Sequence, residues 1–521
     1  MAAMTSFRLL IRISLASTAT CALLALTGCF GPAGSGDTDP ATIAPATTPV
    51  LLEATVDPEG DQETAVRALL AKFPGGDSAA SGGFISSLIQ DGLTAAGAPI
   101  NYAEDIQPWL GQKASLFVTG VNADSTEPEV ALVLSTTDAG QAEAALQKAF
   151  PGGTEKTVEG VKYRLGPQGD LAVGVVDNFV VIGTPTAYTS VIAASKGNSL
   201  SESDTYDNAV SALPESRIAA FFVDPKALVS LTAGSAGIGG PEMAAQQAAL
   251  NDIKPVVGSV SADANGIVVD SATTKVPGMV VPQPGTDVLG DLPGDSGVAL
   301  GIPDLGASAK ASLTQAGSSA GMDPDMINSI AKSQFGIDAL GMLDWIGNTG
   351  IFVSGKSLSD AGGGLVIQSK DPAASADSLK QIQGFLGDQK DVSLGKAQVD
   401  GDAGFSIESK DLPAPVVVEQ RGSALAIALG AASAEAALGT DDRLSANPAY
   451  QAAVARLGAD YDPSMYVGLG PLLDFAVKNF GLDKDPTFAA VAAYLTPLTD
   501  MTAGGRVDGE TLLSRFRIDI Q

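Results

Sequence analysis

The chain contains no histidine. That removes the commonest general base near neutral pH, every Ser-His and Cys-His nucleophile arrangement, and the most frequent metal ligand. Cysteine is nearly absent as well: Cys21 and Cys29 are the only two, and both fall in the first thirty residues. Aromatic residues make up 5% of the chain, with two tryptophans, so few rings are on hand to stack against sugars. Positive charge is scarce, at 30 Lys and Arg against 59 Asp and Glu, for a net charge of −29. A body of that sign is repelled by phosphate, which argues against nucleic acid as a partner. After residue 30 no apolar run reaches the length of a spanning helix.

The first thirty residues carry the targeting information. Arg8 and Arg12 form a positive start, and Ile13 to Leu26 is largely apolar but too short for an ordinary spanning helix. It ends in Leu26-Thr27-Gly28-Cys29, which resembles the lipobox of bacterial lipoproteins. That resemblance implies cleavage after residue 28, acylation of Cys29 with a palmitate-type chain, and a protein held by lipid on the outer face of the cytoplasmic membrane. Losing Arg8 and Arg12 with residues 1–28 takes the net charge from −29 to −31. Cys21 leaves with the same segment, so no disulfide is expected. Cys29 opens a tether over residues 29–49, in which 31–49 are Gly, Pro, Ser, Thr, Ala and Asp with one Ile, the composition of a disordered segment. Random-coil scaling for such a length gives a reach of roughly 25 Å.

The rest of the chain repeats itself. "PWLGQKASLFVTG" from Pro108 is answered by "DWIGNTGIFVSG" from Asp344, and these hold the only tryptophans, Trp109 and Trp345. Each is followed by an apolar run and then a helix signature. Asp138 is placed to cap the first helix and Asp371, with Pro372 at the first helical position, the second. "NFVVIGTPTAY" from Asn178 is answered by "SALAIALGAASA" from Ser423, and Tyr206 by Tyr450. Both copies close on a hairpin signature, Asn265-Gly266 and Asp508-Gly509, pairs suited to the positive φ of tight turns. The expected architecture is therefore α+β, a tandem duplication of an antiparallel sheet with helices. Repeat domain 1 spans 50–276, a Pro/Gly linker 277–295, and repeat domain 2 296–521. The tryptophans read as core anchors at the start of a strand, with a shared ligand site as the alternative.

The order of these elements resembles a family of secreted bacterial proteins known as domain of unknown function 3352. The resemblance rests on the Asp-capped helix after a β-run, the Gly-turned strand pair, and "FFVDPKAL" from Phe221, and it covers most of residues 50–521. It implies an envelope location and brings no catalytic residues. The second copy departs from it at "YVGLGPLL" from Tyr466, so a role for Asp224 would not be duplicated.

Chemistry-bearing patterns are sparse. Gly317-Ser318-Ser319-Ala320-Gly321 fits the nucleophile elbow, but the motif needs a strand before it and a histidine partner. Ser329-Ile-Ala-Lys332, Ser393-Leu-Gly-Lys396 and Tyr206-Asp207-Asn208 fit the pieces of a Ser–Lys site in the wrong order, with no Lys-Thr-Gly strand. The acidic turns Asp400-Gly401-Asp402 and Asp263-Ala264-Asn265-Gly266 lack the glutamate that completes a calcium loop. No catalytic, metal or cofactor residue is expected, and Cys29 is the one assigned site. Two functions fit: a lipid-anchored, non-catalytic envelope protein that binds another envelope protein, or a carrier or sensor of a small apolar, lipid-like molecule in a groove of the duplicated body.

Overall fold

Apolar runs bounded by turn residues become antiparallel strands, and the Asp-capped segments become helices. The computed structural model describes residues 39–56, 58–76, 90, 99–121, 127–229, 254–275, 287–319, 321–335, 338–355, 361–387, 393–397, 399–408, 412 and 414–521. The chain divides after Thr274 into two units.

The first unit holds strands β1 (Val50–Thr55), β2 (Leu110–Val121), β3 (Pro128–Thr136), β4 (Thr154–Val158), β5 (Val161–Leu165), β6 (Ala172–Val176), β7 (Phe179–Gly183), β8 (Ala219–Val223), β9 (Val256–Asp263) and β10 (Gly266–Thr274). Its helices are α1 (Gly60–Leu70), α2 (Ala139–Ala149), α3 (Pro185–Ala194) and α4 (Asp204–Val210). All pairings are antiparallel, in the order β4-β5-β6-β7-β3-β2-β1-β8-β9-β10. The strand that comes first in the chain thus lies in the middle of the sheet.

The second unit holds β11 (Ser296–Ile302), β12 (Ile346–Ser354), β13 (Gly362–Ser369), β14 (Ser393–Lys396), β15 (Ala403–Glu408), β16 (Val416–Arg421), β17 (Ala424–Leu429), β18 (Asp462–Gly468), β19 (Leu498–Asp508) and β20 (Thr511–Ile520). Its helices are α5 (Leu305–Ser319), α6 (Pro324–Phe335), α7 (Pro372–Gly387), α8 (Ala431–Leu438), α9 (Pro448–Leu457), α10 (Leu469–Phe480) and α11 (Pro486–Leu495). Its order is β14-β15-β16-β17-β13-β12-β11-β18-β19-β20, the first unit's order with every label advanced by ten. The protein is α+β with antiparallel sheets.

Local chemistry explains the elements. Asp138 Oδ1 accepts from the Gln141 N–H at 3.0 Å, and the Gln141 amide returns to Asp138 Oδ2 at 2.8 Å, so α2 starts on a reciprocal cap. Asp371 Oδ1 accepts from the Ala373 and Ala374 N–H groups at 3.0 Å each, with Pro372 as the first residue of α7. Each tryptophan immediately precedes a strand and is buried. Trp109 packs with Ala142, Ala145 and Leu146 of α2 and with Val173 and Val180. Trp345 packs with Leu379 of α7 and with Ile367, Phe405, Val418 and Leu425. Both tyrosines fill the same role too. Tyr206 of α4 meets Phe222 of β8 edge-on at 5.2 Å, and Tyr450 of α9 meets Tyr466 of β18 edge-on at 5.3 Å.

Three expectations differ from the structure. Residues 39–49, the end of the expected tether, are docked: Ala41, Ile43 and Ala44 are buried, and Pro45 bridges Ser199. Residues 287–295, the end of the expected linker, are docked the same way, with Leu289 and Leu292 buried in the core and Pro293 bridging Arg443. Composition misleads here because a few small or apolar side chains, seated on backbone bonds such as Leu200 N–H to Ala44 O (2.7 Å) and Leu444 N–H to Leu292 O (2.8 Å), suffice to hold such a segment. Finally, the β9–β10 turn is Ala264–Asn265, with Gly266 already in β10 and no positive φ. Asp263 Oδ1 accepts the Asn265 N–H at 2.7 Å and steadies the turn instead. Gly509, by contrast, takes φ 58° in the β19–β20 turn as expected.

Candidate functional site

Three features of the second unit set it apart. The first is a cavity of about 240 Å³. Asp287, Asp291, Asn348 and Gln368 supply its polar groups, and Leu292 and Val366 its apolar floor. The local chain explains how it is held open. Asp287 Oδ1 accepts from the Tyr450 hydroxyl at 2.7 Å and from the Gly290 N–H at 2.8 Å, so α9 fixes one wall. Asn348 sits at a register shift between Ile346 and Thr349, and its Oδ1 accepts from the Asp304 N–H at 3.0 Å, which turns its NH₂ away from that bond. Burial and the Asp287 carboxylate both hold the Tyr450 hydroxyl far above the ordinary range of a phenol.

The second feature is Glu419 on β16, which is 1% exposed. Burial pushes its carboxyl up to about 7; Arg421 pulls it down, while Asp400 and Asp402 raise it further. Its Oε2 has no hydrogen-bond partner. Room for it comes from Gly401 and Gly404, where a Cβ would sit 2.3 Å from Glu419 Oε1 and 2.2 Å from Oε2. Far along the same strand order, at β18–β20, Arg456 Nε lies 2.9 Å from Asp519 Oδ2, Arg517 Nε donates to Asp519 Oδ1 at 2.6 Å, and the Tyr466 hydroxyl donates to Asp500 at 3.3 Å. Asp500 is raised above the usual carboxylate range, mainly by burial. The Asp500–Asp519 group is covered by α9, whose Arg456 pairs with both aspartates, the signature of a structural network; Glu419 lies apart from it, on a strand covered by α8.

The third feature is apolar exposure. Met326 (45%) and Ile330 (41%) on α6, and Val491 (46%) and Tyr494 (50%) on α11, project into solvent. In α6, Ile327 points the other way and fills the space beside Gly317 of α5. The α11 sequence, PTFAAVAAYL, contains no charged residue, and the helix packs mainly on the short turn Leu482–Lys484. A charge-free exposed helix in so acidic a chain invites a partner.

The sequence-derived candidates do not come together. Cys29 lies outside the described residues. Gly317 and Ser319 are the last turn of α5; a helix, not a strand, precedes the Gly-x-Ser-x-Gly run, and Asp323 Oδ1 then caps α6 by accepting the Met326 N–H at 2.8 Å. Ser329 and Lys332 are on α6, Ser393 and Lys396 on β14, and Tyr206 on α4 of the other unit. Asp224 Oδ1 accepts from the Lys226 and Ala227 N–H groups, as an ordinary cap. Asp402 takes the Gly422 N–H at 2.7 Å, which makes the 400–402 turn a brace for the β16–β17 turn. Among the described residues no cluster of three or more acidic or sulfur ligands could hold a metal. Sequence reading missed Asp287, Asn348, Gln368 and Glu419 entirely. Its one usable signal was a glutamate inside the apolar strand "VVVEQR".

No curated protein matches the chain. Among solved structures, crystal form III of TP0453 is similar at 10% identity, over 47% of this chain and 83% of that one, with a TM-score of 0.25. Crystal form I of the same protein gives 10%, 48%, 83% and 0.24. Scores that low fall short of a shared fold. The sequence itself is more specific: the family described as "Protein of unknown function (DUF3352)" matches residues 10–495, and the chain belongs to that family.

Proposed function

We propose that this chain is a lipid-anchored protein of the cell envelope, held on the outer face of the cytoplasmic membrane through Cys29, and that its work is to bind another envelope protein without catalysis. The two units are tandem copies of one fold. Identical strand order, matched tryptophans and matched aromatic pairs support that reading. The observation that carries the function is the apolar exposure on α6 and α11. Eleven large apolar side chains are exposed among the described residues, and all but Leu228 belong to the second unit. Such surface is costly in water and is retained where a partner covers it. The missing histidine and the scattered Ser and Lys candidates support a non-catalytic role.

The test has two arms. Cys29→Ser should abolish incorporation of labelled palmitate and release the protein from membranes; retained label would refute the anchor. Val491→Glu with Tyr494→Glu, and separately Met326→Glu with Ile330→Glu, should remove cross-links formed with envelope proteins in intact cells while the melting curve stays in place. An unchanged cross-link pattern in both double variants would refute the binding face.

A further inference from the structure

The cavity of the second unit has a filled counterpart in the first, and the filling says what fits. Strand register fixes the correspondence. In the first unit Glu53 of β1 lies opposite Ser115 of β2, which lies opposite Val133 of β3. In the second, Gly301 of β11 lies opposite Gly350 of β12, which lies opposite Val366 of β13. Two residues before Ser115 stands Lys113, and two before Gly350 stands Asn348. Two residues after Val133 stands Ser135, and two after Val366 stands Gln368.

In the first unit this ground is occupied by the chain itself. Lys113 Nζ reaches Glu53 Oε1 at 2.7 Å, with Glu53 9% exposed, and Ser135 Oγ joins the Lys113 backbone by donating to its carbonyl at 3.0 Å and accepting from its N–H at 2.8 Å. An ammonium therefore sits in the first unit's protein interior, beside a carboxylate. In the second unit glycine replaces the carboxylate and asparagine the lysine. Leu289 and Leu292 move up beside Gly301 and Gly350, yet about 240 Å³ stays open. The matching bridges of Pro45 and Pro293 set Asp287 level with Asp39, which both units keep, and Asp291 level with Ile43, so the second unit gains one carboxylate at the wall. Asp287 and Asp291 line the cavity, and the Asn348 and Gln368 amides stand where a bound molecule's other polar groups would go. A net charge of −29 draws cations towards such a mouth.

We propose that this cavity binds a small organic ammonium compound, whose charged nitrogen pairs with Asp291 and Asp287 as the Lys113 nitrogen pairs with Glu53 in the first unit. The volume suits a short primary amine carrying a second polar group, such as a diamine or an amino alcohol. The polar wall favours a charged ligand over the apolar one that composition alone suggests. The inference is independent of the anchoring and of the exposed residues of α6 and of α11, since it uses neither.

Putrescine, ethanolamine and lysophosphatidylethanolamine are titrated into the body released from its lipid, with calorimetry as the readout and butane-1,4-diol as the uncharged control of putrescine's length. Saturable binding of one or more amines, without binding of the diol, is expected. Binding of the free amines identifies a soluble ligand, and binding of the lysolipid alone a lipid headgroup. Asp291→Asn should weaken binding at least tenfold, and Asn348→Lys, which supplies an internal ammonium as in the first unit, should abolish it. Gln368→Ala serves as a milder variant should Asn348→Lys lose its fold by circular dichroism; it should weaken binding severalfold. Asp287 is left intact because it also holds Tyr450. No saturable binding of any amine up to about 10 mM, or affinities untouched by Asp291→Asn together with either of the other two changes, would overturn the proposal.

Discussion

The two units share a strand order and differ in what fills it. Where β5, β6 and α3 of the first unit meet, Tyr163 stacks on Tyr188 at 4.9 Å and Gly174 makes room for the Tyr188 hydroxyl. In the second unit the matching register pair is Gly404 and Glu419, under Ala434 of α8. Ring volume has been exchanged for a carboxylate, and the glycine has changed strands. The row Phe222, Val257, Ala272 in the first unit is wholly apolar; the row Tyr466, Thr502, Arg517 in the second is wholly polar. A sheet of this topology tolerates either filling provided volume and hydrogen bonding are met locally. Both units bury carboxylates, Glu53 and Glu129 in the first and Glu419, Asp500 and Asp519 in the second. The second adds a cavity and exposed apolar helix residues, which is why function is sought there.

The largest effects should come from the tryptophans, where the units agree. Trp109→Ala and Trp345→Ala should each destabilise their own unit by about 3–5 kcal/mol. Circular dichroism melts should then show two steps, with one near its wild-type position; a single lowered transition for both variants would break the division into independent cores. Phenylalanine sharpens the comparison. Trp109 Nε1 donates to the Asp105 carbonyl at 2.5 Å, whereas the buried Trp345 Nε1 has no partner. Trp345→Phe should therefore cost about 1 kcal/mol less than Trp109→Phe.

Glu419 comes next. Its folded-state carboxyl titrates near 7, above the ordinary 4.5, so the folded chain holds this proton more tightly than the unfolded one. The contribution is fully favourable below pH 4.5, is lost as pH rises towards 7, and is absent above. Glu419→Gln should stabilise the protein by about 2–3 kcal/mol at pH 8 and by little at pH 4. Urea unfolding at both values checks it, and an equal effect at the two would show that the proton is not held. The smallest change is Tyr466→Phe, which installs the first unit's residue in the second. Loss of one hydrogen bond to Asp500 should cost about 1 kcal/mol by the same method; a cost several times larger would mean that the polar row stands or falls as one network.

Much of this was legible in the sequence because it is written locally. Asp138, Asp371 and Pro372 announce their helices within a few residues, and the two Trp segments announce equivalent strand starts. The docked segments 39–49 and 287–295 were not legible, since their partners at Ser199 and Arg443 lie some 150 residues downstream. Glu419, Asp287 and Lys113 were illegible for the same reason. Each is an unremarkable charged residue until register places a glycine or a carboxylate beside it. The amine cavity is the extreme case, because it exists through what Gly301 and Gly350 omit.

The central position of each unit's first strand has a consequence for the order of assembly. β1 must pair with β2 on one side and β8 on the other, and β11 with β12 and β18. A ribosome delivers β1 more than 160 residues before β8. Until then one flank is a bare edge, and segment 39–49 waits for its bridge at Ser199 until that residue too has been made. Long closures of this kind slow folding and leave sticky edges waiting. Each unit is thus obliged to stay unlocked until its final third has been synthesised. A nascent chain of this protein should need a holding chaperone twice, once for each middle strand that arrives first.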